Sequence, residues 1–288
     1  LPGMFSYNGF SGEYPAISIT GSHCALHCDH CQSKTLEPMI SAEKPDILIK
    51  KCLDLAKKGK LGVLISGGCD REGRLPWKGF IQAISEGKRD TDLYISIHCG
   101  LIDYAMARDL REAGVDQALI DVIGDDETYR RVYHVDFGIS RIEASLESLQ
   151  KASLPVIPHI VCGLNYGMIV GEQRAVELIS RFDIKQMVMV SLMRIPGTPS
   201  LEARQLGAEE IVQLITEARF RLPETEISLG CARERGNSRT ETLAIHAGVN
   251  RMALPSDEAI RLAMDYGLKI RYQRTCCSVS QDFSKEEW

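Results

Sequence analysis

Ala16-Ile17-Ser18-Ile19-Thr20 runs directly into Gly21-Ser22-His23-Cys24-Ala25-Leu26-His27-Cys28-Asp29-His30-Cys31. The first five residues alternate weakly, in the manner of a strand. A loop follows with three cysteines, Cys24, Cys28 and Cys31, in C-x3-C-x2-C spacing. Thiolate is the soft ligand that iron–sulfur clusters use. Three thiolates from one short loop can hold three irons of a [4Fe–4S] cubane. The fourth iron is then open to a ligand that is not protein. The alternative is a zinc site that His23, His27 or His30 completes. Zinc knuckles favour paired C-x2-C arms, and here a strand feeds straight into the loop.

Outward from that stretch the chain reads as repeated strand–helix units. Apolar runs recur at Leu61–Ile65, Leu93–Ile97, Gln117–Ile123, Val156–Val161, Gln186–Leu192 and Glu226–Leu229, with Val249–Leu254 as a further candidate. Amphipathic stretches separate them: Pro45–Lys58, Ile102–Ala113, Ile139–Ala152, Glu172–Phe182, Ala208–Phe220 and Thr240–Ala247. A short helix is also expected over Ser33–Ile40. Near-continuous Val/Ile/Leu strands alternating with helices predict a parallel sheet covered by helices. Seven or eight units predict a (β/α) barrel of the TIM type, complete or nearly so. A doubly wound sheet is the runner-up, but its first loop would carry glycines rather than cysteines. The barrel is expected over residues 1–255, with a Gly/Tyr/Phe-rich arm at its start. Residues 256–288 are expected to form a tail packed on it. Ser256 is the N-cap of a helix closed by Gly267, Cys276-Cys277 follow, and the end frays.

Composition narrows the class. The 288 residues are 44% hydrophobic and 25% charged, with a net charge of −5. That is a globular chain large enough for one big core. The acidic balance argues against nucleic acid or an anionic membrane as main partner, and no apolar run spans a bilayer. The chain begins Leu1-Pro2-Gly3-Met4, with no leading Met and no signal-peptide pattern, so a few native residues are expected to be absent. Ten cysteines without a secretory segment suggest reduced, metal-binding thiols. A cytoplasmic, oxygen-sensitive protein is expected. Cys52, within a helix, is expected to pack.

In a parallel barrel, functional groups collect at the C-terminal ends of strands. Special residues cluster there. Ser66-Gly67-Gly68-Cys69-Asp70 follows the second strand and His98-Cys99-Gly100 the third. The fourth carries Asp121, flanked by apolar residues, ahead of the helix-starting acids Asp125 to Glu127. His159-Ile160-Val161-Cys162-Gly163 and then Gly167-Met168-Ile169-Val170-Gly171 follow the fifth. Arg194 and Gly197-Thr198-Pro199 follow the sixth.

Together with the cysteine loop, this order resembles the radical S-adenosylmethionine (SAM) superfamily. The resemblance implies that SAM chelates the open iron of a [4Fe–4S] cluster on Cys24, Cys28 and Cys31. It implies that Gly67 and Gly68 receive the SAM amino group through backbone carbonyls, although Cys69 stands where an acidic residue is usual. Asp121 would contact the SAM ribose or the substrate. Ile169 would lie beside the adenine. Gly197, in Gly-Thr-Pro, is similar to biotin synthase at this place.

The remaining cysteines exceed what packing asks for. Cys69, Cys99, Cys162 and Cys231 fall at strand ends, and Cys276 and Cys277 in the tail. The chain is most similar to the two-protein lipoyl synthases, relatives of biotin synthase. Tyr14 to Gly21, Leu36-Glu37-Pro38-Met39, Ser66 to Asp70, Gly230-Cys231-Ala232-Arg233 and Cys276-Cys277 carry that likeness. It implies an auxiliary [4Fe–4S] cluster on Cys69, Cys231, Cys276 and Cys277, with Cys99 or Cys162 able to replace one. Arg233 or Arg235 would be a ligand or a supporting donor.

The implied reaction is radical sulfur insertion into an octanoyl chain on a lipoyl carrier domain or glycine-cleavage carrier protein. The implied partners are a second, related radical SAM protein and a reductant such as ferredoxin or flavodoxin. Other readings are biotin synthesis, carbon-skeleton rearrangement, metallocofactor maturation, or a non-enzymatic iron–sulfur electron carrier or zinc scaffold.

Overall fold

A computed structural model describes residues 6–7, 10–236 and 238–284. Parts of the expected N-terminal arm and the expected frayed end at 285–288 lie outside the described residues. Among the described residues nine strands form one parallel sheet: β1 Ala16–Ser18, β2 Ile40–Ser41, β3 Gly62–Ser66, β4 Tyr94–His98, β5 Gln117–Asp121, β6 Val156–Cys162, β7 Gln186–Ser191, β8 Glu226–Leu229 and β9 Arg251–Met252. Their order is β9-β8-β7-β6-β5-β4-β3-β1-β2. A two-stranded ribbon, Ser6–Tyr7 with Phe10–Ser11, precedes them.

The expected α/β class and barrel-like parallel sheet are both present. Alternate residues face opposite ways. Val63, Ile65, Ile95, Ile97 and Met187 pack outward against the helices. Leu64, Leu119, Ile157 and Val188 pack inward. Ala16 of β1 joins that same inner cluster, so the sheet curls until its two halves meet. Among the described residues no ladder joins β9 to β2, and the barrel is open along that seam.

The outer helices are α1 Pro45–Lys57, α2 Ile81–Arg89, α3 Tyr104–Glu112, α4 Asp126–Thr128 running into a π-turn Tyr129–Tyr133, α5 Ile139–Lys151, α6 Glu172–Ile179, α7 Ala208–Arg221, α8 Arg239–His246 and α9 Asp257–Asp265. Ser256 caps α9 by accepting from the Ala259 N–H. Two points differ from the sequence reading. Ser33–Ile40 is not a helix. Gln32 and Ser33 take left-handed φ of 47° and 63°, and Pro38 lacks an amide donor. The segment makes successive three-residue turns, and Ile40–Ser41 then adds β2 beside β1. Conversely, α2 escaped the pattern because its buried face is small: Ala83, Ile84 and Gly87. A Cβ on Gly87 would sit 3.4 Å from Cys52. Cys52 is fully buried, so it packs as expected where α1 meets α2.

The lower, N-terminal end of the barrel is plugged from both ends of the chain. The Tyr14 hydroxyl meets Ser96 Oγ at 2.6 Å and donates to the Tyr94 carbonyl at 3.0 Å. Gln117 opens β5 and Gln186 opens β7, both buried. Gln117 donates to the Ser278 carbonyl (2.7 Å) and accepts from the Ser280 N–H (3.0 Å). Gln186 and Ser228 both donate to the Cys277 carbonyl, at 3.0 and 3.2 Å. A buried amide without a partner costs about 1–3 kcal/mol, so these side chains fix the tail inside the barrel. No helix among the described residues is long and apolar enough to cross a membrane.

Candidate active site

The cysteine loop caps the upper end of the barrel and leans on the end of β3. The Thr20 hydroxyl donates to the His23 carbonyl (2.9 Å) and accepts from the Gly68 N–H (2.7 Å). The Ala25 N–H donates to the Cys69 carbonyl (2.8 Å), and the Cys69 N–H points at Cys24 Sγ (3.4 Å). This crossing explains the glycine pair locally. A Cβ on Gly68 would lie 2.0 Å from the His23 carbonyl oxygen. Three non-glycine residues of the loop, His27, Gln32 and Ser33, have φ between 45° and 63°. Such conformations cost on the order of 1–3 kcal/mol each and persist only where the surroundings enforce them.

The thiols crowd one another. Burial, then the neighbouring Cys31, Cys24 and Cys69 thiols, push Cys28 far up. Burial also raises Cys31. His30, kept neutral by burial, has its Nδ1 enclosed with no partner, and its ring lies tilted 5.2 Å from Tyr133. Crowded thiols beside an unpartnered polar atom are what a bound cluster and its ligand would satisfy. The donor set fits iron–sulfur chemistry.

Below the loop lies a polar tier on three adjacent strands, at the ends of β4 and β5 and midway along β6. His98 Nε2 stands 3.5 Å from Asp121 Oδ1, and the His98 and His159 rings are 6.1 Å apart. Burial raises Asp121, but His98, with help from His159 and His30, outweighs it and leaves the carboxyl at about 2. Burial lowers His98, and Asp121 more than restores it. Burial pushes His159 down to about 4. Its Nδ1 lies 3.0 Å from the Ile157 carbonyl. A carbonyl only accepts, so that bond assigns the proton to Nδ1 and leaves Nε2 as an acceptor. Asp121 was expected here. His98 and His159 drew notice in the sequence but no role, and their signal is a polar ring within an otherwise apolar strand.

A second thiol group forms deeper in the barrel. Cys231, Cys276 and Cys277 line one cavity, and the Cys277 thiol interacts with those of Cys231 and Cys276. That contact lowers Cys231 and Cys276 and raises Cys277. Cys276 packs in the inner cluster with Leu64 and Leu119, and Leu119 is the register partner of His98. The field of Cys276 reaches His98, and Asp121 reaches Cys31 and Cys69. The polar tier therefore lies between the two thiol groups.

Other expected ligands fall elsewhere. Cys69 stands with Cys24, not with the tail thiols. Cys99 and Cys162 are buried in the outer, helix-facing core, and burial pushes Cys99 up to about 12. Neither replaces a member of the deeper group. Buried Arg233 donates to Glu241 (2.6 Å) and the Ala253 carbonyl (2.6 Å), and Arg235 to the Cys231 carbonyl (2.8 Å). Both shape the turn that carries Cys231. The segment bearing Ile169 is pinned by the Glu172 carboxylate, which accepts from the Gly163, Val170 and Gly171 amides at 2.7–3.1 Å. Gly197, at φ 75°, passes Lys34 so closely that a Cβ would be 3.0 Å from its Nζ.

Residues 18–180 match the family model of the radical SAM superfamily. This chain belongs to that superfamily. Residues 184–287 match the biotin and thiamin synthesis associated domain. Among curated relatives of this radical SAM protein, the biotin synthase of Saccharophagus degradans is 25% identical over 242 residues. The alignment covers 81% of this chain and 67% of that protein. The biotin synthase of Maricaulis maris is 27% identical, at 81% and 71% coverage. The chain thus spans about two thirds of the curated relatives it matches. The crystal structure of methylornithine synthase superposes with a TM-score of 0.62 at 18% identity, covering 93% of this chain and 86% of that one. An [FeFe]-hydrogenase maturase from Carboxydothermus hydrogenoformans gives 0.63 at 13% identity, at 88% and 66% coverage. These last two likenesses concern the fold. A [4Fe–4S] cluster and SAM are the superfamily's cofactors, and Cys24, Cys28 and Cys31 are the residues here whose chemistry fits the cluster.

Proposed function

We propose that this enzyme inserts sulfur into an octanoyl chain carried as octanoyl-lysine on a lipoyl carrier domain or glycine-cleavage carrier protein. The observation that carries this reading is the second thiol group, Cys231, Cys276 and Cys277, set inside the barrel across the polar tier from Cys24, Cys28 and Cys31. When bound, the first cluster with SAM supplies a 5′-deoxyadenosyl radical for an unactivated C–H, and a second cluster on the deeper thiols supplies sulfide. The chain's own residues do the rest. Leu64, Leu119, Ile157 and Val188 give an apolar wall that excludes water. The plugged lower end leaves the upper mouth for an acyl-lysine to enter. Partners in this reading are a second, related radical SAM protein and a ferredoxin or flavodoxin.

A second reading has its own support. His98, Asp121 and His159 offer hydrogen bonds that an alkyl chain does not use, which favours a small polar substrate such as dethiobiotin. The test begins with anaerobically reconstituted protein in which Cys24, Cys28 and Cys31 are all Ala. About four irons per chain, with the Mössbauer signature of one cubane, support a sulfur donor, and little iron removes it. Incubation of the intact enzyme with octanoylated carrier or with dethiobiotin then separates the two substrates by mass.

A further inference from the structure

Asp29 lies between two of the three clustered cysteines, and its side chain is only 9% exposed. Three different strand-end loops hold it. From the turn after β5, His134 Nε2 meets Oδ1 at 2.8 Å, and the Val132 carbonyl accepts the Asp29 N–H at 2.9 Å. From the loop after β6, the Tyr166 hydroxyl donates to Oδ2. From the loop after β7, the Ser200 N–H donates to the Asp29 carbonyl at 3.2 Å. The supports are themselves tied together. The Arg131 guanidinium lies 5.0 Å over the Tyr166 ring and donates to Asn165 Oδ1 at 3.2 Å. His134 is held at a left-handed φ of 57°.

We propose that Asp29 is a positioning residue that registers the Cys24–Cys31 loop to the barrel mouth, and so fixes how SAM meets the first cluster. The loop needs outside support, because His27, Gln32 and Ser33 all sit in left-handed conformations that their surroundings must enforce. Asp29 is the one residue between Cys28 and Cys31 that the loops after β5, β6 and β7 all grip. Among the described residues no hydrogen bond joins its carboxylate to a thiol. Asp29 acts by setting where Cys28 and Cys31 stand against the opposite wall. This inference needs only a SAM-binding cluster at Cys24, Cys28 and Cys31, not the octanoyl assignment.

The test uses the reconstituted holoenzyme and SAM itself. Tyr166→Phe removes one grip while keeping the ring under Arg131. It should keep its iron content and melting temperature, yet bind SAM roughly tenfold more weakly. The change that SAM produces in the EPR spectrum of the reduced cluster should become broader. Asp29→Asn should show the same defects more strongly, and Tyr166→Phe combined with His134→Gln should approach it, since both act through one carboxylate. Asp29→Glu, which keeps the charge, should recover part of the SAM affinity. The proposal is overturned if Tyr166→Phe binds SAM and shifts the EPR spectrum like the parent. It is also overturned if the variants lose iron and stability but their remaining clusters answer SAM normally.

Discussion

The two thiol groups of this barrel are built in opposite ways. Cys24, Cys28 and Cys31 sit in one loop, and their neighbourhood is set by a few peptide bonds. Cys231 and Cys276–Cys277 come from segments far apart in the chain, and they meet where side chains such as Gln117, Gln186 and Ser228 hold the tail inside the barrel. A contiguous group has its ligands brought together by the chain itself, whereas an assembled group depends on every contact that brings its parts together.

The largest effect that tests this contrast is Cys28→Ala. It should abolish SAM cleavage to 5′-deoxyadenosine, as read by product chromatography, while leaving iron on the deeper group. Cys277→Ala is the mirror experiment. It should remove about four irons per chain and all sulfur transfer, with 5′-deoxyadenosine formation within about twofold of the parent. If it also stops SAM cleavage, the two groups are not separate sites.

Gly68→Ala comes next. Its Cβ would meet the His23 carbonyl and Cys24, and overpacking of this kind costs about 2–3 kcal/mol. Urea unfolding should show that loss, together with a drop in iron at the first group alone. Gln117→Leu should cost about 1–3 kcal/mol by freeing the backbone at Ser278 and Ser280. Iron counts should fall at the deeper group alone, although the substituted residue is not a cysteine.

A last effect is a pH dependence of stability from the tier between the groups. His159 is held at about 4 when folded, below its ordinary value near 6.5. The unfolded chain therefore binds the extra proton, and stability is lost as pH falls from about 6.5 toward 4. Asp121, at about 2, adds a further loss as pH falls from about 4 through 2. His98 is raised, so its contribution is present below about 6.5 and is lost as pH rises through its folded value. Between pH 6.5 and 5 the slope from His159 is at most about 1.4 kcal/mol per pH unit. Denaturant midpoints should show it, and His159→Gln should flatten it.

Much of the fold was legible because its signals are local. The apolar runs that became β3 to β8 lie within a residue or two of their expected bounds. The Ser256 cap and the packing of Cys52 also held. The failures share a cause. Ser33–Ile40 has helical composition, but two left-handed residues at its start send it into turns. Helix α2 hides its buried face in small residues. Cys69 looked like a partner of the tail thiols because spacing along the chain does not say which wall of a barrel a residue faces.

The sequence by itself determined the strand–helix repeat, the cysteine loop at its head and, through them, the superfamily. Each rests on periodicity or on spacing short enough for covalent geometry to enforce. Tertiary structure alone decided that Cys231, Cys276 and Cys277 come together, that Cys69, Cys99 and Cys162 do not join them, that His98, Asp121 and His159 lie between the groups, and that three loops grip Asp29. Those placements depend on sheet register, on the inward or outward alternation of each strand, and on where buried amides capture the tail, and these are contacts between residues that the chain itself keeps far apart.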